Sequence, residues 1–348
     1  MDINAKIQLY KENRINNKDI DWQEYIKINN DLNFLKINAK AIDHWMKHGK
    51  KEPRKYNENN LELTNVWPDI NRYLNTNSYQ HTSFAFIITT CVRENVHLNY
   101  LKESIQSIRN FYPETLIYII NDNSNKEYNI NEELNKFSHI EIISSIANKG
   151  GEINPYLFIL DSRCKHDKLI YIHDTVFLKS NIDDYINTKN EILFFWYSIF
   201  CKFNDTINKI DNKDIYDNLY LYFGNSKIKI SDYLLIIKDY FSFDVKFGSM
   251  SIFTKRFMEK VNLVTNFLEC SHYFTKRIHR CFFERILSIF YIFIYNQDYP
   301  LSKFICGDIN QHPDPFTNTN SNLQIFIKKK KTITKITYGP LVKVWQGR

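Results

Sequence analysis

Four short polar segments of this 348-residue chain each follow an apolar run, and they hold residue types that bind and activate substrates. In chain order they are Thr89-Thr90-Cys91-Val92-Arg93, Asn121-Asp122-Asn123, Asn148-Lys149-Gly150-Gly151 and His173-Asp174-Thr175. In open α/β sheets, ligands bind beyond the carboxyl ends of the strands. Four polar strand ends that face one crevice therefore predict a site of nucleotide size.

The elements that must position these segments alternate between strands and helices from residue 83 onward. The predicted strands are FAFIITT (84–90), TLIYIIN (115–121), HIEIISS (139–145) and KLIYIHDT (168–175), with helical segments between them, the last of which runs through NPYLFILDSRC (154–164). This βαβαβαβ order predicts an α/β fold with a mostly parallel mixed sheet flanked by helices.

The N-terminal region differs from the rest of the chain. Residues 1–58 have apolar residues at helical spacing, which predicts a small helical module, and 59–82 form a predicted connector to one large domain over 83–348. His44 and His48 share a helical face at zinc-ligand spacing. Because Trp45 stands where a metalloprotease needs glutamate, surface packing is the alternative to a metal there.

The composition favours a folded protein with no membrane span. The chain is 43% hydrophobic and 24% charged, and its densest apolar run, Ile286–Tyr295, is far shorter than the roughly 20 residues that cross a bilayer. No secretory signal is recognisable, and the six cysteines contain no Cys-x-x-Cys pair. We expect a soluble, cytoplasmic protein; the bias towards Asn, Ile and Lys is compatible with a large DNA virus or a bacterial cell-surface locus.

The formal charge of +7 is partly concentrated in Lys328–Lys331. The run lies between two alternating segments, which predicts a solvated hairpin turn. Contact with nucleic acid or an anionic membrane is the alternative. Because aromatic residues do not interleave with the run as in RNA-binding segments, we expect no nucleic-acid partner.

Several enzyme classes lack their motifs in this sequence. No strand is followed by Gly-x-Gly-x-x-Gly or by Gly-x-x-x-x-Gly-Lys-Ser/Thr, which argues against the two commonest nucleotide-binding classes. The Gly-x-Ser-x-Gly elbow of the α/β hydrolases is also absent. A pair of acids suited to glycoside hydrolysis cannot be located from spacing.

The order of elements over about residues 83–310 resembles the GT-A glycosyltransferases, in particular the family 2-like members. In these, a strand with a Thr-rich end, a strand ending in an acidic turn, an Asn-x-Gly segment and a helix precede a strand that closes in an Asp-x-Asp-type motif. The resemblance implies a GT-A (Rossmann-like) fold, a nucleotide-sugar donor linked to uridine, and a hydroxyl acceptor.

The resemblance also assigns roles to residues at the strand ends. Those expected to contact the nucleotide sugar are Thr89, Thr90, Arg93, Asp122, Lys149, Gly150 and His173. Among them, Asp122 would accept a hydrogen bond from the ring nitrogen of the base, and Lys149 and Gly150 would pass under the sugar nucleotide.

Asp174 stands where the family holds a divalent cation that bridges the diphosphate, which implies Mn²⁺ or Mg²⁺. Two carboxylates are usual there, and this sequence has one. Either the metal is held more weakly, or His173 and nearby cations take over part of the charge; a buried Asp174 that caps a turn is a further alternative. His312 is a second metal ligand by the same resemblance, with simple exposure as its alternative.

The acceptor side of the site is expected after the turn, strand and helix predicted for FGSMSIFTKRFMEKV (Phe247–Val261). That segment resembles the one placed beside the donor sugar, and inverting members carry an acidic general base in this part of the chain. Glu284 is the candidate base, with an ion pair to Arg280 or Arg277 as its alternative. Asp244 is the second candidate.

The sequence thus predicts a glycosyltransferase that moves a sugar from a nucleotide sugar to a hydroxyl group with help from a metal ion. A catalytically inactive GT-A-like module that binds carbohydrate or serves assembly is the first alternative. A basic nucleic-acid-associated protein is the second. The oligomeric state is left open.

Overall fold

A computed structural model describes residues 83–198, 213–223, 226–231, 245–295, 299–309 and 339–343. The strands are β1 (Phe84–Thr90), β2 (Ile117–Asn121), β3 (Ile140–Ser144), β4 (Lys168–His173), β5 (Val176–Leu178), β6 (Ile192–Phe194), β7 (Trp196–Ser198), β8 (Tyr220–Phe223), β9 (Ser226–Lys229), β10 (Val245–Lys246), β11 (Ser251–Thr254), β12 (Gly307–Asp308) and β13 (Leu341–Lys343). The α-helices are α1 (Asn95–Arg109), α2 (Ile130–Leu134), α3 (Asn154–Phe158), α4 (Asp183–Ile186), α5 (Lys213–Asn218), α6 (Lys255–Val264), α7 (Phe267–Cys270) and α8 (Arg277–Tyr295). Short 3₁₀ turns lie at Gly151–Ile153, Phe247–Ser249, Ser271–Tyr273 and Leu301–Lys303.

Several predicted features lie outside the described residues. They are the N-terminal module with its histidine pair, the connector, Asp244, His312 and the lysine run at 328–331. Their predicted structures and roles stay predictions.

The central sheet has six strands in the order β3-β2-β1-β4-β11-β6. The first four run parallel, and β11 is antiparallel to both of its neighbours. The predicted α/β fold, with a mostly parallel mixed sheet flanked by helices, is therefore confirmed. The strand positions follow from composition, since β1, β2 and β4 are near-continuous apolar runs whose side chains are buried on both faces.

The strand order reverses beside β1. From β1 the chain moves outward to β2 and β3, and then returns to place β4 on the other side of β1. Thr89 on β1 pairs with His173 on β4, and Thr90 pairs with Asn121 on β2. Such a switch point opens a crevice at the carboxyl ends of the strands, where ligands of doubly wound sheets bind.

Helix α8 packs against two turns close to these strand ends. Its apolar positions, from Phe282 to Phe293, are buried, so packing rather than propensity holds it. The helix contacts the 3₁₀ turns Gly151–Ile153 and Phe247–Ser249. Arg280 and Glu284, one turn apart, lie on α8 and so share one face of the helix.

A separate two-stranded sheet brings the end of the described chain to the same region. β13 pairs antiparallel with β5, and its Leu341 and Val342 are fully buried. Val342 packs with Tyr100 of α1 and Phe177 of β5. This pairing explains why the apolar run resumes immediately after His173-Asp174-Thr175.

One predicted helix is shorter than expected. The pattern over 154–164 predicts a helix throughout, but α3 ends at Phe158. Asp161 causes a turn instead, because its Oδ1 accepts the backbone N–H of Arg163 at 2.9 Å and its carbonyl accepts the N–H of Cys164 at 3.0 Å. Side-chain bonds of this kind compete with helical ones.

Candidate functional site

The tips of β1 and β4 are joined by a buried hydrogen bond. Thr90 Oγ1 donates to Asp174 Oδ2 at 2.8 Å, and the two residues are 2% and 6% exposed. Asp174 therefore stands at the strand tip, as predicted, but its carboxylate is engaged with the neighbouring strand. A buried carboxylate needs such a donor, because removal from water without one is costly.

Asp122 follows β2 and reaches across to the next loop. Its backbone N–H donates to the Thr90 carbonyl at 2.8 Å, and its Oδ2 accepts the backbone N–H of Gly151 at 2.9 Å. The residue is 5% exposed, and its Oδ1 has no hydrogen-bond partner within the described part of the protein. Most buried polar atoms in folded proteins are paired, so an acceptor left over at a strand end points to a ligand.

The loop after β3 is closed by its own side chains. Asn154 Oδ1 accepts the backbone N–H of Ala147 at 2.7 Å, which draws both ends of the loop together. A Cβ at Gly150 would lie 2.8 Å from the Ala147 carbonyl oxygen, so only glycine fits. Lys149 takes a left-handed backbone conformation (φ 59°) and its side chain is exposed.

His173 links β4 to the Gly-Ser-Met turn. Its Nε2 lies 3.0 Å from the carbonyl oxygen of Gly248. Gly248 has a φ of 64°, and a Cβ there would meet Met250 Cε at 2.7 Å and His173 Cε1 at 3.0 Å. The glycine is therefore required both by its backbone conformation and by the close approach of the imidazole.

Two glutamates meet at the base of α8. Burial and, after it, the neighbouring Glu152 raise the pKa of Glu284 to about 8, although Arg285, the Gly248 backbone and Lys343 oppose the rise. Burial also raises the pKa of Glu152. Glu152 Oε2 lies 3.7 Å from Arg280 Nε, so the guanidinium named as a possible partner of Glu284 pairs with Glu152.

Lys343 approaches the β4 tip from β13. Its Nζ donates to Thr175 Oγ1 at 2.5 Å and lies 3.2 Å from His173 Nδ1. The charge of its ammonium group also acts on Glu152 and Glu284. The β4 tip, His173 to Thr175, is thus bordered by a cation as well as by carboxyl groups.

Further polar atoms are buried around the same strand ends. Ser249 Oγ has no hydrogen-bond partner in the described ranges, although the residue is fully buried and has a φ of 55°. Thr89 Oγ1 and the Tyr171 hydroxyl face one another without reaching hydrogen-bond geometry. Strained, polar and buried positions of this kind concentrate at functional sites.

The structure brings most of the predicted site residues into one connected set. Thr90 bonds to Asp174 and to Asp122, and Asp122 in turn bonds to Gly151, the neighbour of Gly150. His173 and Glu284 both contact the backbone of Gly248, and Thr89 pairs with His173 across the sheet. Arg93 and Lys149 are exposed at the rim. Their predicted roles in binding and catalysis stay predictions.

Three participants were missed by sequence reasoning. Glu152 directly follows the predicted Asn-Lys-Gly-Gly segment, and an acid after a glycine turn at a helix start is a signal that would have found it. Arg280 was considered only as an ion-pair partner. Lys343 carries no local signal, because its place depends on β13 pairing with a strand about 165 residues earlier in the chain.

The described residues do not by themselves form a divalent-cation site. Among them, no group of three or more His, Cys, Asp or Glu side chains is arranged to hold a metal ion. Asp174 contributes one carboxylate, which is buried against Thr90.

Two observations concern the described residues away from these strand ends. A shallow depression of about 280 Å³ lies against the edge strand β3 and is lined by Leu134, Phe137 and Ile142, among others, but it contains none of the residues discussed above. No helix in the described ranges is long and apolar enough to pass through a bilayer.

Comparison with known proteins identifies no family. No protein-family model and no curated protein matches the sequence. Among solved structures, a fragment of S. aureus TarS (residues 1–349) in complex with UDP is 12% identical, with a TM-score of 0.31, over 57% of this chain and 55% of that one. The chain spans about half the length of this TarS fragment.

Two further structures show similarity at the same level. The galactosyltransferase LgtC, in complex with donor and acceptor sugar analogs, is 12% identical over 72% of this chain and 97% of that one, with a TM-score of 0.27. The bifunctional glycosyltransferase WbbM is 9% identical over 78% of this chain and 47% of that one, with a TM-score of 0.34. Similarity this distant assigns no role to any residue.

Proposed function

We propose that this chain is a GT-A-type glycosyltransferase that moves a sugar from a nucleotide sugar to a hydroxyl group in the crevice at the ends of β1, β2 and β4. The observation that carries the proposal is the Asp122 carboxylate. One oxygen is held by the Gly151 N–H, and the other is a buried acceptor without a partner in the described chain. It lies one strand from the switch point, where a doubly wound sheet binds nucleotides.

The chemistry of that acceptor selects the base. A carboxylate oxygen accepts hydrogen bonds and donates none when ionised. Uracil and guanine present a ring N–H on their pairing edge, whereas cytosine and adenine present a ring nitrogen that is itself an acceptor. Asp122 therefore favours uridine or guanosine, and uridine, the smaller, is the base that we propose.

The reaction is a displacement at the anomeric carbon. The bond from that carbon to the diphosphate oxygen breaks, and its electron pair leaves with the nucleoside diphosphate. The acceptor hydroxyl oxygen forms the new bond, and its proton passes to a carboxylate acting as general base. Attack opposite the leaving group inverts the anomeric centre.

Glu284 is the base that the contacts support best. It is half-buried beside the turn that includes Gly248, and the carbonyl of that glycine also contacts His173 at the β4 tip. Of the two arginines in the ion-pair alternative, Arg280 pairs with Glu152 instead, which leaves Arg277 as the alternative partner of Glu284. A base with a pKa near 8 is matched to proton transfer from a sugar hydroxyl close to neutral pH.

The divalent cation implied by the resemblance is not supported by the residues that the structure describes. A Mn²⁺ or Mg²⁺ ion needs several oxygen ligands, and the one carboxylate at the β4 tip is committed to Thr90. No step of the mechanism is therefore routed through a metal.

The test is turnover with a panel of nucleotide sugars. The full chain is incubated with UDP-, GDP-, CDP- and ADP-linked sugars and simple glycoside acceptors, with and without Mn²⁺, and release of nucleoside diphosphate is measured. We expect release from UDP-sugars that Glu284→Gln abolishes. Binding without release in every combination would instead support the inactive carbohydrate-binding module, and neither binding nor release would remove the proposal.

A further inference from the structure

The strand tip that lacks a second carboxylate has a lysine beside it. We propose that Lys343 supplies the positive charge that neutralises the diphosphate of the donor, in the place where the family uses a metal ion. The inference rests on the proposed nucleotide-sugar function and specifies how its leaving group is stabilised.

The position of Lys343 is fixed by the packing of β13. Lys343 pairs with Val176 directly after the β4 tip, and the two residues before it are fully buried. The carbonyl of Pro340 accepts the N–H of Lys179 at 2.8 Å, which secures the start of the strand. The lysine is therefore delivered to the crevice by a rigid element.

The contacts of the ammonium group hold it over the β4 tip. Its Nζ lies 2.5 Å from Thr175 Oγ1 and 3.2 Å from His173 Nδ1. These residues flank Asp174, the position that the resemblance assigns to diphosphate binding. Lys343 is 8% exposed, so its charge is weakly screened by water and interacts strongly with an anion.

Two glutamates lie close enough to Lys343 for its charge to act on them. Burial raises the pKa of Glu152 and of Glu284, which favours the protonated form of each and so weakens their attraction for the ammonium group. Arg280 already pairs with Glu152 at 3.7 Å. Lys343 thus adds a positive charge beside Asp174 at the β4 tip, where electrostatic stabilisation of a departing diphosphate requires one.

The test distinguishes the contribution of the phosphates to affinity from that of the base. UDP, uridine and inorganic pyrophosphate are each titrated calorimetrically, in EDTA and in Mn²⁺. For the unaltered protein in EDTA, we expect UDP to bind more tightly than uridine and pyrophosphate to compete with it. Lys343→Gln should weaken UDP binding by about tenfold or more and leave uridine binding unchanged. Lys343→Arg keeps the charge and should recover part of the loss.

Lys102→Gln is the matched control, since it removes the same charge from an ion pair with Glu133 between α1 and α2. It should change neither affinity. Equal UDP binding by Lys343→Gln, equal losses for UDP and uridine, or phosphate-dependent affinity that appears only with Mn²⁺ would each overturn the role of Lys343 and leave the nucleotide site standing. If the unaltered protein binds neither UDP nor uridine, the proposed function fails and this inference fails with it. If Lys343→Gln does not fold, the inference is tested by the unaltered protein in EDTA. Pyrophosphate that fails to compete with UDP there would overturn the role of Lys343.

Discussion

Thr90 and Asp174 are 84 residues apart in the chain, yet a buried 2.8 Å hydrogen bond joins their side chains across adjacent parallel strands. The bond ties the Thr-rich end of β1 to the acidic end of β4 at the point where the strand order reverses. It makes Asp174 a support of the crevice wall.

Thr90→Val tests this support. Valine has nearly the same shape but no hydroxyl, so it removes the donor from a buried carboxylate. We expect the free energy of unfolding to fall by about 1–3 kcal/mol, measured by urea denaturation. Thr90→Ser, which keeps the hydroxyl, should lose less than half as much; equal losses for both variants would show that the methyl group rather than the bond matters.

Asp122→Asn tests recognition of the base. The Gly151 N–H needs an acceptor, so the asparagine oxygen should turn towards it and leave the NH₂ group facing the base. A donor in that place favours cytosine over uracil. We expect UDP affinity to fall about tenfold and CDP affinity to rise, in parallel titrations. A uniform loss for both nucleotides would argue against contact between Asp122 and the base.

Glu284 should give stability a distinctive dependence on pH. Its pKa is raised from an ordinary value of 4.5 to about 8, so the folded protein keeps a proton that the unfolded chain releases. The contribution of Glu284 to the free energy of unfolding is fully present below about pH 4.5 and is lost as pH rises through 8. Glu284→Gln should remove that loss and be more stable than the unaltered protein at pH 8.5 by on the order of 2 kcal/mol; an unchanged difference between pH 5 and 8.5 would contradict it.

Catalysis should depend on pH in the opposite direction. The base form of Glu284 appears only as pH rises towards its pKa of about 8. The rate of sugar transfer should therefore increase about tenfold per pH unit below that value and level off above it. Glu284→Gln should lose turnover while UDP binding is retained. A rate that is flat between pH 6 and 8.5 would exclude Glu284 as the base.

Alanine substitutions at two glycines distinguish the effect of backbone strain from the effect of a clash with a site residue. Gly151 (φ 51°) and Gly307 (φ 75°) both have left-handed backbones, but a Cβ at Gly151 would lie 2.5 Å from Arg280 Cδ. At Gly307, apart from its chain neighbours, no atom of the described residues lies within 4 Å of such a Cβ. We expect Gly307→Ala to cost only about 1 kcal/mol of stability. Gly151→Ala should cost more and also lower turnover, because Arg280 must move away from Glu152. If Gly151→Ala and Gly307→Ala lower turnover equally, the Arg280–Glu152 contact has no role in it.

The sequence was sufficient for the four parallel strands of the sheet because their signals are local. Apolar runs such as Phe84–Thr90 and Lys168–His173 can form only strands covered on both faces, and polar residues at their ends mark where burial stops. Asp122 and His173 were named as polar strand ends, whereas Glu284 was named only through the resemblance to inverting glycosyltransferases.

The features that the sequence did not show depend on distant pairing or on solvation. Lys343 reaches the site through strand pairing with β5, which no local pattern encodes. The Asp174 side chain has a buried partner on another strand, so its environment could not be known from its own segment. The raised pKa of Glu284 depends on burial beside Glu152, which only the three-dimensional arrangement provides.

A crystal structure with UDP tests the central claim most directly. We expect the uracil ring nitrogen within about 3 Å of Asp122 Oδ1 and the phosphates against Lys343 and His173, above the ends of β1 and β4. A nucleotide bound elsewhere on the protein, or a crevice that stays empty at saturating UDP, would contradict the account.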